Sequence, residues 1–179
     1  MIRGFCFALA LAVVGTASAQ TGFRYEPVLE AGLEKPIDMV WTADGLVIGG
    51  LSGDIYQLRD DAPVSLGKVA VNDKDPGAGL VGVAVHLKEG SGWLFAYYTV
   101  KNSLFQRVSR FSLTSTDGAL SMGAEEILKP LDELPWKKVG LAKDARNAGA
   151  VRVGPDGSLY VGVSDNGQDT KVQDLKEVH

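Results

Sequence analysis

From residue 32 onward, apolar and polar positions alternate in short runs, and Gly, Asp, Asn or Pro breaks one run from the next. A period of two marks strands with one face inward and one outward, and no window sustains the 3.6-residue period of a long amphipathic helix. The pattern predicts an all-β chain. Its best helical candidate is the short segment "GAEEIL", Gly123 to Leu128.

Superposing the turns brings out a repeat. The stretches "PIDMVWTADGLVIGGLSGDIYQL" from Pro36, "GLVGVAVHLKEGSGWLFAYYTVKN" from Gly79 and "AGAVRVGPDGSLYVGVSDNG" from Ala148 share one plan, a strand that enters a turn and a second strand that leaves it. The first two continue into third and fourth strands, "GDIYQL" then "SLGKVAV", and "RVSRFSL" then "EEILKPL". Two four-stranded units and the first half of a third predict a β-propeller of four-stranded blades, with about two and a half blades present. Such a fragment leaves a sheet edge open, so the chain is expected to be the N-terminal part, or a truncated copy, of a larger protein. A self-contained β-sandwich is the competing reading, because a chain of this size can bury about 68–70% of its unfolded surface. Trp93, Phe95 and Tyr97 alternate with Leu94, Ala96 and Tyr98. Packing on both faces, between blades, explains that pattern.

Composition narrows the function classes. The chain has 179 residues, 22 acidic and 18 basic, with a net charge of −4 and no Lys/Arg block. A nucleic-acid-tracking or anionic-membrane patch is therefore not indicated. The start, "MIRGFCFALALAVVGTASAQ", joins Arg3, an apolar run from Phe5 to Val14 and the small triplet Ala17-Ser18-Ala19. This predicts a signal peptide over 1–19, cut after Ala19, and a partial propeller domain over 20–179 in the periplasm or outside the cell. The apolar run is shorter than the ~20 residues that span a bilayer, so no membrane span is expected after cleavage. Cys6 is the single cysteine and falls in that segment, which leaves the mature chain without disulfide or thiolate chemistry.

Few side chains offer chemistry. Asp165 and Asp169 resemble oxygen ligands of a hard cation, but the full calcium-loop spacing is lacking and turn formation at Asn166-Gly167 is the simpler role. Asp44-Gly45 and Asp156-Gly157 sit between paired strands as hairpin turns. His86 follows a strand and is expected to be a hydrogen-bonded structural residue. With His179 as the only other histidine, a His-rich zinc site and a Ser-His-Asp arrangement have no support.

Taken together, "AGLEKPIDMVWTADGLVIGGLSGDIYQL", "GLVGVAVH…WLFAYYT" and "GPDGSLYVGVSDNGQD…QDL" resemble the N-terminal half of the glucose/sorbosone dehydrogenase family. The resemblance covers nearly all of 32–179 in order and implies a secreted six-bladed propeller. It further implies pyrroloquinoline quinone (PQQ) and Ca2+ as cofactors, an aldose as substrate, and an envelope cytochrome or quinone as electron acceptor. The family's general base is a histidine eight residues before the Gly of the Gly-Pro-Asp-Gly turn; the turn begins at Gly154 and the matching position is Arg146. Arginine stays protonated at physiological pH and cannot accept the sugar's proton. In place of a base it could clamp a carboxylate. Asn147, next to that position, and Asp144, two residues before it, are candidate substrate contacts. A pocket glutamine of the family, two residues before the Gly-Leu-Val-Gly run, is matched by Gly77 in the cofactor-binding region. The family's calcium ligands lie in later blades, so the resemblance assigns no metal ligand here. The loss of the base leaves a non-catalytic propeller that binds a protein, glycan or small ligand as the alternative. A lactonase-like hydrolytic propeller would need calcium-ligating acids near its axis.

Overall fold

The computed structural model describes residues 27, 29, 32–74, 77–103, 105–128 and 149–163. These form ten strands and no helix: β1 (Pro36–Thr42), β2 (Gly45–Gly50), β3 (Asp54–Arg59), β4 (Ala62–Lys68), β5 (Leu80–Lys88), β6 (Ser91–Thr99), β7 (Gln106–Thr116), β8 (Ala119–Ile127), β9 (Gly149–Val153) and β10 (Leu159–Val163). They pair antiparallel in chain order as two four-stranded sheets, β1-β2-β3-β4 and β5-β6-β7-β8, and a β9-β10 hairpin. These are blades 1 and 2 and the first hairpin of blade 3. The innermost strands β1, β5 and β9 lie side by side, β5 against both of its neighbours. An all-β propeller arrangement is therefore present, with the predicted two and a half blades.

Tight turns enforce this order. Glu89-Gly90, Asp117-Gly118 and Asp60-Asp61 all take positive φ at both central residues, the geometry that matches the twist of two strands joined by a two-residue loop. The Asp60-Asp61 turn starts β4 at Ala62, earlier than the apolar run beginning at Ser65 suggests. The segment Gly123–Leu128 is not helical, since all but Leu128 lies in β8. There Glu126 forms a forked pair with Arg110 across the strands at 2.7 and 3.0 Å, and Glu125 accepts from Ser109 at 2.7 Å. Cross-strand partners override weak local helix preference.

The core lies between blades. Val47 and Ile55 of blade 1 pack with Leu80, Val83, Leu94, Ala96 and Tyr98 of blade 2, all buried. Tyr97, Ala84 and Val108 pack on the opposite face of blade 2 against Val151 of β9. Both faces of β6 are thus consumed by neighbouring blades, as its alternation predicts. Leu80 and Val83 share a face despite their odd spacing because the register slips between Leu80 and Gly82. A matching slip occurs between Pro36 and Asp38 in β1. A one-residue bulge inverts the phase of alternation, so these inner strands could not be assigned face by face from period alone. On the face of β1 turned away from blade 2, Met39 and Trp41 are exposed. Among the described residues β10 pairs only with β9.

One buried polar cluster gives a pH prediction. The Tyr98 hydroxyl donates to Glu125 and lies 3.2 Å from Ser109 Oγ. Burial first, and then the hydrogen bond with Glu125, push its phenol from the ordinary 10.0 up to about 12. Burial moves the neighbouring Tyr97 phenol upward as well. Above pH 10 the unfolded chain sheds these protons while the native state keeps them, so the unfolded state binds fewer protons and stability falls as pH rises. The urea midpoint should decline progressively between about pH 10 and 12, and Tyr98→Phe should flatten that decline.

Candidate functional site

Antiparallel order places one class of loop at one end of the blades. The segments that feed β1 and β5, the start of β9 and the β2–β3 and β6–β7 turns all lie at this upper end, and the backbones around the feeding segments of β1 and β5 interlock. Leu51 N donates to Lys35 O, Leu80 N donates to Leu51 O and Thr99 N donates to Gly79 O, at 2.8–2.9 Å. Close approach dictates glycine here. A Cβ on Gly79, at φ +130°, would lie 2.6 Å from Leu51 O, and one on Gly53, at φ +92°, would lie 2.2 Å from Val69 O.

Gly77 lies in the segment feeding β5 and takes φ +73°. That left-handed conformation suits glycine, so a glutamine at this point would carry backbone strain. Arg146, Asp144 and Asn147, together with Asp165, Asp169 and His179, lie outside the described residues. His86 is exposed on β5. Among the described residues its ring forms no hydrogen bond, so the structural bond expected of it is not made. Trp93 has the Arg110 guanidinium 3.9 Å from its ring centroid, a cation–π contact that covers one face of the indole. Asp156 acts as a turn residue: its Oδ1 accepts from Ser158 N at 3.0 Å and its Oδ2 from the Ser158 hydroxyl at 2.9 Å, which lowers its carboxyl below the ordinary value.

Sequence reasoning missed the polar link between the inner strands. Asp38 of β1 forms a bidentate pair with Arg152 of β9, at 2.8 and 3.0 Å, and accepts Val83 N of β5 at 3.0 Å. Arg152 also donates to Val151 O at 2.7 Å and Val83 O at 3.3 Å. The hydrogen bond from Asp38 holds the guanidinium above its ordinary pKa, against the opposing effect of burial. Gly82 leaves room for this crossing, because a Cβ there would stand 3.3 Å from Asp38 Oδ2. Three successive blades are thus tied through one carboxylate. The only sequence signal was a charged residue on each of two inner strands, 114 positions apart.

No three His, Cys, Asp or Glu side chains come together among the described residues. Thr99 Oγ1 and Gln106 Nε2 are buried without a hydrogen-bond partner among the described residues. They belong to paired positions at the upper end of β6 and β7.

This architecture has a counterpart among known sequences, since the pattern of the glucose/sorbosone dehydrogenases matches residues 33–179. The chain belongs to the glucose/sorbosone dehydrogenase family. It is similar to the crystal structure of a Thermus thermophilus protein described as an oxidoreductase (glucose dehydrogenase), with a TM-score of 0.67 and 28% identity. The likeness covers 88% of this chain and 45% of that one, so this glucose/sorbosone dehydrogenase-type chain spans less than half of its relative's length. No curated protein matches it. No helix among the described residues is long and apolar enough to cross a membrane.

Proposed function

We propose that this chain forms the opening blades of a quinone-dependent aldose dehydrogenase-like propeller that works in the periplasm or outside the cell. The observation that carries this reading is the family match over 33–179. It is supported by three inner strands, β1, β5 and β9, that lie side by side as in successive propeller blades. Export rests on the signal-like pattern of 1–19, which lies outside the described residues. PQQ, Ca2+, the sugar and the envelope electron acceptor enter through family membership. The described residues do not themselves build a site for quinone or metal: they gather no cluster of metal-ligating side chains, and Gly77 offers only backbone. No step of the oxidation is therefore routed through them.

Arg146 at the base position favours a second reading, a propeller that binds its ligand without turning it over. The two readings part in a dye-linked assay of the natural full-length polypeptide, supplied with PQQ, Ca2+ and glucose. On the dehydrogenase reading Arg146→His raises the rate by roughly 10²-fold or more, the usual worth of a positioned general base. An unchanged rate, with quinone binding retained in an absorbance titration, would leave the non-catalytic propeller. Gly77→Gln is the poorer first substitution because its backbone sits at φ +73°.

A further inference from the structure

At the upper end, where blade 1 passes the chain to blade 2, a cleft of about 520 Å³ opens beside the feeding segment of β5. Val69, Ala70 and Val71 line it together with Ser52, Lys68, Asp73, Lys74 and Lys101. Among the described residues of this lining three ammonium groups meet one carboxylate, although the whole chain carries a net charge of −4. Lys68 is already committed, with Nζ 3.1 Å from both oxygens of Asp54. Lys74 and Lys101 are exposed, and among the described residues neither ammonium has a carboxylate partner.

The backbone beneath them is braced. Lys101 N donates to Ala70 O at 3.3 Å, Val71 bridges Val100, and the Asn72 side chain donates to Ser103 O at 2.7 Å. Two like charges therefore stand on a fixed frame beside an apolar wall and the Ser52 side chain. An anion entering the cleft is attracted by both groups, and a concave site of this volume suits a small molecule better than a flat protein face.

We propose that this cleft binds a small ligand bearing a phosphate or carboxylate group, held by Lys74 and Lys101 with Ser52 as a further donor. The ligand's less polar part lies along Val69–Val71. The proposal is independent of sugar oxidation, since none of these side chains belongs to the residues discussed for that chemistry.

The test is an amide NMR titration of the full chain at low ionic strength, with inorganic phosphate and, separately, citrate. At least one anion should shift the amides of Ser52, Val71, Lys74 and Lys101 saturably, and added salt should weaken it. The double substitution Lys74→Gln/Lys101→Gln should weaken binding roughly tenfold or more, whereas Lys74→Arg/Lys101→Arg should hold it within about threefold. Tighter binding of phosphate or of citrate identifies the group recognised, and either supports the site. Equal affinity in the Gln double variant and the native chain overturns the proposal. So does the absence of saturable shifts with both anions. If only a poly-glutamate peptide shifts these amides, the small-ligand site is likewise overturned and the surface is one for an acidic protein.

Discussion

Replacing Gln57 with leucine should lower the unfolding free energy by about 3–5 kcal/mol, a Tm drop on the order of 10 °C. Gln57 is buried on β3, and its amide serves three backbone groups at the lower end of the blades. Nε2 donates to Asp44 O and Gly118 O, both at 2.7 Å, and Oε1 accepts Leu120 N at 3.0 Å. Asp44 belongs to the β1–β2 turn of blade 1, whereas Gly118 and Leu120 belong to the β7–β8 hairpin of blade 2. One side chain therefore fastens two blades. Leucine fills a similar volume but leaves the three partners without it, and a buried polar group without a partner costs about 1–3 kcal/mol. Gln57→Glu discriminates further, because a carboxylate can accept Leu120 N but cannot donate to the two carbonyls. It should destabilise at neutral pH at least as much as leucine. Urea unfolding of the variants checks both values, and a loss below about 1 kcal/mol for leucine would mean the bridge is not made.

The second large effect is expected at Asp38. Asp38→Ala should cost about 2–4 kcal/mol, and Asp38→Asn less than about 1.5 kcal/mol. The ion pair alone does not explain this difference, because the Arg152 side chain is 53% exposed and water screens much of its attraction. The larger part comes from Val83 N, whose residue is fully buried and whose amide points away from β6 toward Asp38. Asparagine keeps an oxygen for that amide, and alanine does not. Equal losses for the two substitutions would assign the stability to charge instead of to the amide.

These two positions mark the boundary of what the sequence makes legible. Blade order, the hairpins at Asp44-Gly45 and Asp156-Gly157, and the two-sided packing of β6 follow from local alternation and turn chemistry. Those signals act over a few residues. Gln57 reads locally as an ordinary polar position on a half-exposed strand, and Asp38 as a residue near a strand start. Their partners are up to 114 positions away, and only the assembled blades bring them together. The bulges in β1 and β5 were hidden for a related reason, because a single unpaired residue reverses the phase without changing composition. Gly53, Gly79 and Gly82 could be read as flexible positions, but their close approach to Val69, Leu51 and Asp38 becomes visible only in three dimensions. At the candidate site, Gly77 gains a conformational reason for its identity in its positive φ, while Arg146 is known from sequence position alone.

β1, β5 and β9 lie side by side as the inner strands of successive blades. The most direct test is native-state hydrogen exchange at the Val83 amide. That N–H has no partner within its own sheet and is protected only if Asp38 of the neighbouring blade accepts it at 3.0 Å. Exchange through global unfolding in the native chain, and markedly faster exchange in Asp38→Ala, is the predicted result. Exchange at the rate of an open strand edge, unchanged by Asp38→Ala, would contradict the blade arrangement.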